Sequence, residues 1–241
     1  MRTLSASRQH QPLVYQLKIG AVKVTVIAES VAPLLRWQEL YPDATERSVS
    51  ASVATSDPGL YDVGSGRLVI AIQGFVIESD GTTLMVDTCV GDCKARARPE
   101  FNDARFGWLG RLQATGIRVE DVDLVLSTHL HVDHVGCNTD YADGRWRPTF
   151  PNARYLFVND EFEFWSSELA RSPLERTGDY IGDSVFINHK SYINLRRSLG
   201  NHVDVGVRNG AEHLGRNPRR ALDVLTHQAH DGFAALIFHV G

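Results

Sequence analysis

The chain has 241 residues, 25 Lys and Arg against 29 Asp and Glu, a formal net charge of −4, and 43% hydrophobic side chains. That length can bury an adequate core as one large domain or two small ones, and the composition excludes a wholly disordered or fibrous protein. Slight acidity removes the general electrostatic case for nucleic acid, and no apolar run approaches the roughly 18 residues of a membrane span. Taken in chain order, Lys18 to Ala28 is rich in β-branched residues and predicts an early strand. Residues 29 to 66 hold Pro33, Pro42 and Pro58 and end in Gly64 and Gly66, so they read as irregular, either a loop over a pocket or a plain surface excursion. Arg67 to Glu78 and Thr82 to Asp87 flank Ser79-Asp80-Gly81, the strongest hairpin signal in the sequence. Arg105 to Gly116 has helical apolar spacing through Phe106, Leu109 and Leu112, with Gly116 where a helix would stop. Asp123 to Ser127 reads as a short strand covered on both faces, and Ala153 to Val158 as another. A helix then runs from Asn159, its cap, to about Leu169. Hairpins followed by alternating strands and helices predict an α/β layered domain with a sheet core.

The start, MRTLSASRQHQPLVYQLKIG, has polar breaks where a signal peptide needs an apolar core, so the cytoplasm is the expected location. Cys89, Cys93 and Cys137 are odd in number and read as free thiols rather than a disulfide framework.

The densest chemical signal follows the buried run directly: Thr128-His129-Leu130-His131-Val132-Asp133-His134, closed by Val135-Gly136. Imidazole and carboxylate are the usual donors to zinc and similar divalent ions. Leaving a strand in an extended turn, His129 and His131 project the same way and can hold one ion, because side chains two apart share a face. Asp133 and His134 follow where the turn tightens and can hold a second ion close by. The alternative, histidines at a strand edge satisfied by ordinary hydrogen bonds, suits a lone histidine better than this cluster. Trp108, Trp146, Phe150, Phe162, Phe164 and Trp165 supply rings near the motif that would suit an acyl chain or aromatic leaving group, although core packing is the commoner use of most such residues.

DLVLSTHLHVDHVG resembles the metallo-β-lactamase superfamily, whose signature is His-x-His-x-Asp-His at the end of a central strand. GFVIESDGTTLMVDTCVGD and DGRWRPTFPNARYLFVNDEFEFW resemble the flanks, most of all those of quorum-quenching lactonases and methyl parathion hydrolase, over roughly residues 15 to 187. The resemblance implies an αββα sandwich in a single domain over 1–241. It implies a first metal on His129 and His131 and a second on Asp133 and His134, with Asp133 orienting the attacking hydroxide as the catalytic residue. Asp87 resembles a family aspartate near the site, either a partner to a ligating histidine or a strand-end residue capping a turn. The implied activity is hydrolysis of a lactone, ester or related small molecule by metal-activated water. The implied cofactor is a divalent metal, two zinc ions by preference, and one or none if C-terminal ligands are missing.

The resemblance fades near Ile187. The family's third histidine has its nearest counterpart in Leu225-Thr226-His227-Gln228-Ala229-His230-Asp231-Gly232, where His230 is the preferred ligand and His227 the alternative. No clear bridging aspartate or final histidine follows, so residues 188–241 read as divergent, truncated or frameshifted and the sandwich as incomplete in its C-terminal half. An incomplete sandwich would expose a sheet edge and favour a homo-oligomer. The competing function is a catalytically impaired metal-binding or interaction protein derived from the same fold. No nucleic-acid or membrane partner is expected.

Overall fold

A computed structural model describes residues 12–56, 58–166, 192–197 and 203–207. The stretch expected to be one early strand is two. Gly20, at φ 59°, turns the chain, and β1 (Val14–Ile19) folds back antiparallel on β2 (Val22–Arg36). The strand β2 then continues through Pro33, well into the segment expected to be irregular. Register shifts between Ala28 and Ser30 and between Pro33 and Leu35 accommodate it, because a residue without a ladder N–H is tolerated at a bulge. A single turn α1 (Trp37–Leu40), the helix α2 (Glu46–Thr55) and the short β3 (Tyr61–Asp62) follow. The helix α2 starts on Thr45, whose hydroxyl accepts the Ser48 N–H at 3.2 Å, a capping signal the prolines around it obscured.

The strands β4 (Arg67–Ser79) and β5 (Thr82–Val86) form the expected hairpin. Asp80 and Gly81 both take positive φ, as a tight turn matched to strand twist requires. The helix α3 (Trp108–Ala114) lies within the predicted segment, with Gly116 beyond it at φ 87°. Its entry is held by Asp92, which accepts the N–H groups of Phe106 at 2.6 Å and Gly107 at 3.1 Å. Next come β6 (Leu124–Leu126), the one-turn α4 (Val132–Val135) and a hairpin of β7 (Thr139–Ala142) and β8 (Arg145–Pro148). That hairpin was not expected, although Asp143-Gly144 at its tip carries the same positive-φ signature. The predicted strand and helix appear as β9 (Arg154–Val158) and α5 (Asn159–Ser166). Two further strands, β10 (Tyr192–Arg197) and β11 (Val203–Val207), fall in the stretch read as divergent. The remainder of that stretch, with His227 and His230, lies outside the described residues, as does the end of the helix expected at Leu169.

Among the described residues one large sheet has the order β1-β2-β4-β5-β6-β9-β10-β11, with β3 beside β4. The strands β5, β6, β9 and β10 run parallel, and the flanking pairs are antiparallel. This mixed α/β sheet matches the expected fold class. One face carries Ile27, Ile72, Val76, Met85, Val125, Tyr155 and Phe157 and packs with Trp108 and Leu112 of α3. Trp108 is fully buried, and its indole N–H donates to the Ile27 carbonyl at 2.9 Å. The other face buries Val22, Val24, Val26, Ile77, Leu84, Val86, Leu124 and Leu156. Burial on both faces is why the central strands read as continuous apolar runs. No helix among the described residues is long and apolar enough to cross a membrane.

Candidate metal centre

In parallel α/β sheets, functional groups gather beyond the carboxyl ends of the strands. Here β5 ends into Asp87, β6 into Ser127 and the histidine motif, and β9 into α5. Past Leu126 the backbone leaves the ladder, with Ser127 N donating to the Leu156 carbonyl at 3.2 Å. Carboxylates take over from there. Thr128 N donates to Asp87 Oδ1 at 2.8 Å, and Leu130 N to Glu161 Oε2 at 3.1 Å. The turn α4 then opens at Val132 and carries Asp133 and His134.

Of the predicted site residues, His129, His131, Asp133 and His134 are described, and they lie as a series of neighbours. His129 Nε2 lies 3.1 Å from His131 Nδ1. The His129 ring centroid is 4.5 Å from that of His131 and 3.9 Å from that of His134. His134 Nε2 faces Asp133 Oδ2 at 3.5 Å, and its Nδ1 donates to Asp87 Oδ2 at 2.9 Å. Asp87 also accepts the Thr128 hydroxyl at 2.9 Å. Asp87, at the end of β5, therefore bonds both the backbone entering the motif and one motif histidine.

Charge follows this geometry. Burial lowers the His129 pKa, and the His134 and His131 rings lower it further. Burial also works against a charged His134, but hydrogen bonds to Asp133 and Asp87 outweigh it and push its pKa up to about 10. Burial would raise Asp133, yet the hydrogen bond from His134 more than offsets it and holds the carboxyl below its ordinary range. Both ring nitrogens of His134 are therefore protonated at neutral pH.

The donor set fits a borderline divalent cation in type. A tetrahedral ion with Zn–N bonds of about 2.0–2.1 Å sets its ligand nitrogens about 3.3 Å apart, close to the His129–His131 separation. Among the described residues, no group of three or more His, Cys, Asp and Glu side chains closes on one point as a metal cluster. The expected downstream ligand, His230, lies outside the described residues.

Residues 69–230 match the family model of the metallo-β-lactamase superfamily. The chain belongs to this superfamily. Solved structures with the same fold include AbOPH, a hydrolase in the β-lactamase superfamily, at 23% identity and a TM-score of 0.59, covering 76% of this chain and 60% of that one. They also include AidC, a dizinc quorum-quenching lactonase described with a product, N-hexanoyl-L-homoserine, at 16% identity, TM-score 0.57, and coverages of 78% and 62%. A third is a probable metal-dependent hydrolase from Staphylococcus aureus, at 15% identity, TM-score 0.57, and coverages of 77% and 63%. The chain spans about three fifths of the length of these relatives. No curated protein matches the sequence.

Within this superfamily frame, the surrounding residues divide plainly. Trp108 and Phe150 are fully buried in the core, and Phe162 stacks on Phe157 at 6.3 Å. Trp146 lies under the Lys94 ammonium at 3.6 Å, and Phe164 is exposed. Trp165, also buried in the core, stands edge-on to His131, centroids 6.1 Å apart. Cys89, Cys93 and Cys137 are free thiols, and burial raises the pKa of Cys89 and Cys137 well above the usual thiol range. Two carboxylates that sequence reasoning missed also shape the site. Glu161 is one. Glu29 is the other: it accepts Val90 N at 2.9 Å and Gly91 N at 3.0 Å and pins the loop behind the motif. Glu29 is a single acid in an apolar strand and Glu161 one of three acids in the first turns of a helix, so neither position stood out in the sequence.

Proposed function

We propose that the chain is a metal-dependent hydrolase acting on a lactone or related small-molecule ester in the cytoplasm. The observation that carries this reading is the run of neighbouring contacts beyond the carboxyl ends of β5 and β6, in which His129 lies against both His131 and His134, and His134 against Asp133 and Asp87. His129 and His131 would hold one divalent ion, and Asp133 and His134 a second, with His230 as the downstream ligand. A bound divalent ion supplies an acidified water, lowering its pKa from 15.7 to about 7, and polarises the carbonyl under attack.

The chain's own residues do the rest. Asp87 keeps the His134 proton on Nδ1, which turns Nε2 toward Asp133. The Asp133 carboxylate orients the attacking hydroxide. Trp165, buried at the edge of the core, backs the His131 ring edge-on. The lactone class rests on these features together with the shared fold of AidC, a lactonase. Free thiols at Cys89, Cys93 and Cys137 suit a reducing compartment.

Metal analysis and turnover on one sample test the reading. Purified protein is expected to hold about two divalent ions per chain and to hydrolyse an N-acyl homoserine lactone or aryl ester, with His131→Ala abolishing turnover. One ion or none together with no hydrolysis would leave a catalytically impaired metal-binding or interaction protein instead.

A further inference from the structure

The segment that carries His129 and His131 has left the sheet, so no strand ladder fixes the angle between the two rings. Its backbone is gripped from two sides. Asp87 takes the Thr128 amide, immediately before His129. Glu161 takes the Leu130 amide, between the two histidines, at 3.1 Å. The same Glu161 oxygen, Oε2, accepts the indole N–H of Trp165 at 3.3 Å, one turn further along α5, and the Trp165 ring stands edge-on to His131. One carboxylate oxygen therefore ties together the peptide linking the paired rings and the aromatic wall beside them. An acid in the first turn of α5 also suits the helix dipole, but a dipole role does not require an oxygen on Leu130.

We propose that Glu161 is a positioning residue for the histidine pair. By holding the Leu130 amide it sets the spread of His129 and His131 for a divalent cation, and by holding the indole it fixes the wall that flanks them. This rests on the reading of His129 and His131 as metal ligands.

The test compares Glu161→Gln, Glu161→Asp and Glu161→Ala with the native chain and His131→Ala, as full-length proteins stripped of metal. Cobalt(II) affinity is read by competition with a chromophoric chelator, and folding by circular dichroism. Glutamine keeps the reach of the oxygen and loses the charge, whereas aspartate keeps the charge and withdraws the oxygen by about 1.5 Å, one methylene. Positioning predicts that Gln stays within about threefold of native, while Asp and Ala weaken cobalt binding about tenfold to a hundredfold, as loss of a supporting hydrogen bond to a ligand shell does. Near-ultraviolet dichroism from the indole is expected to change in Asp and Ala and to persist in Gln. The reverse order, Asp native-like and Gln weakened, would show a dipole role and overturn the proposal, as would native affinity in folded Asp or Ala. If His131→Ala itself binds cobalt like the native chain, the reading of the pair fails first, separately from the role of Glu161.

Discussion

Asp87 and Gly136 show how closely the motif depends on the loop behind it. Asp87 gives one oxygen to the Thr128 amide and the other to the Thr128 hydroxyl and His134 Nδ1. Asp87→Ala removes the orienting partner of His134 and orphans a half-buried amide. We expect it to weaken divalent-metal affinity about tenfold to a hundredfold, read as free zinc at half-saturation; native affinity in a folded variant would contradict this. Gly136 is constrained by space. The loop and the motif are stitched by Thr88 N to the His134 carbonyl at 2.8 Å, Gly136 N to Cys89 O at 2.7 Å and Cys137 N to Thr88 O at 2.9 Å. A Cβ on Gly136 would fall 1.7 Å from the Val90 carbonyl oxygen, backbone that cannot move without breaking these bonds. Gly136→Ala is expected to lose about 3 kcal/mol or more of stability by overpacking, measured by urea unfolding. A change below about 0.5 kcal/mol, the range of neutral surface substitutions, would show that the loop yields freely.

Glu29 places a buried carboxylate inside an element, and its titration is the element's pH signature. It sits on β2, 4% exposed, with both oxygens taken by the Val90 and Gly91 amides. Burial raises its pKa to about 7 from an ordinary 4.5, against the pull of those two amides. The unfolded chain releases this proton near 4.5 and the folded chain near 7, so between them the native state holds the extra proton and stability falls as pH rises. The loss is about 3 kcal/mol and complete above the folded pKa. Urea midpoints at pH 5 and pH 8 should show this fall in the native chain and a flatter profile in Glu29→Gln; equal slopes would rule out Glu29 as its source. Legibility in the sequence follows the same division between local and distant. The β4–β5 hairpin and the His129–His134 motif were readable because their signals lie within a few neighbouring residues. The contacts that tune the site join residues 61, 41 and 31 positions apart, Glu29 to Val90, Asp87 to Thr128 and Glu161 to Leu130. They exist only once β2, β5, β6 and β9 have stacked, and no periodicity announces them. Likewise β2 was cut short in the reading because Pro33 looked like a breaker, while the bulges that admit it come from pairing with β4.

For the whole molecule, the sheet's outer strand decides behaviour in solution. Among the described strands β1 has a partner on one side alone, β2. Leu13, Tyr15, Leu17 and Ile19 alternate along it on one face, each 40–47% exposed, so an apolar row lies beside unpaired backbone groups. Such an edge is a template for another chain. The formal net charge of −4 gives limited long-range repulsion, and Lys18, on the opposite side of the strand from that row, is the one charged residue within β1. We therefore expect concentration-dependent self-association, visible as a rising mean mass in size-exclusion chromatography with light scattering. Leu17→Lys sets a charge in the centre of the apolar row without touching the candidate metal centre. It should shift the distribution toward monomer while stability changes by no more than about 0.5 kcal/mol, the usual range for an exposed site. A native chain that stays monomeric across the concentration series, or a Leu17→Lys variant that associates as before, would mean that the β1 edge is protected by something other than a second copy.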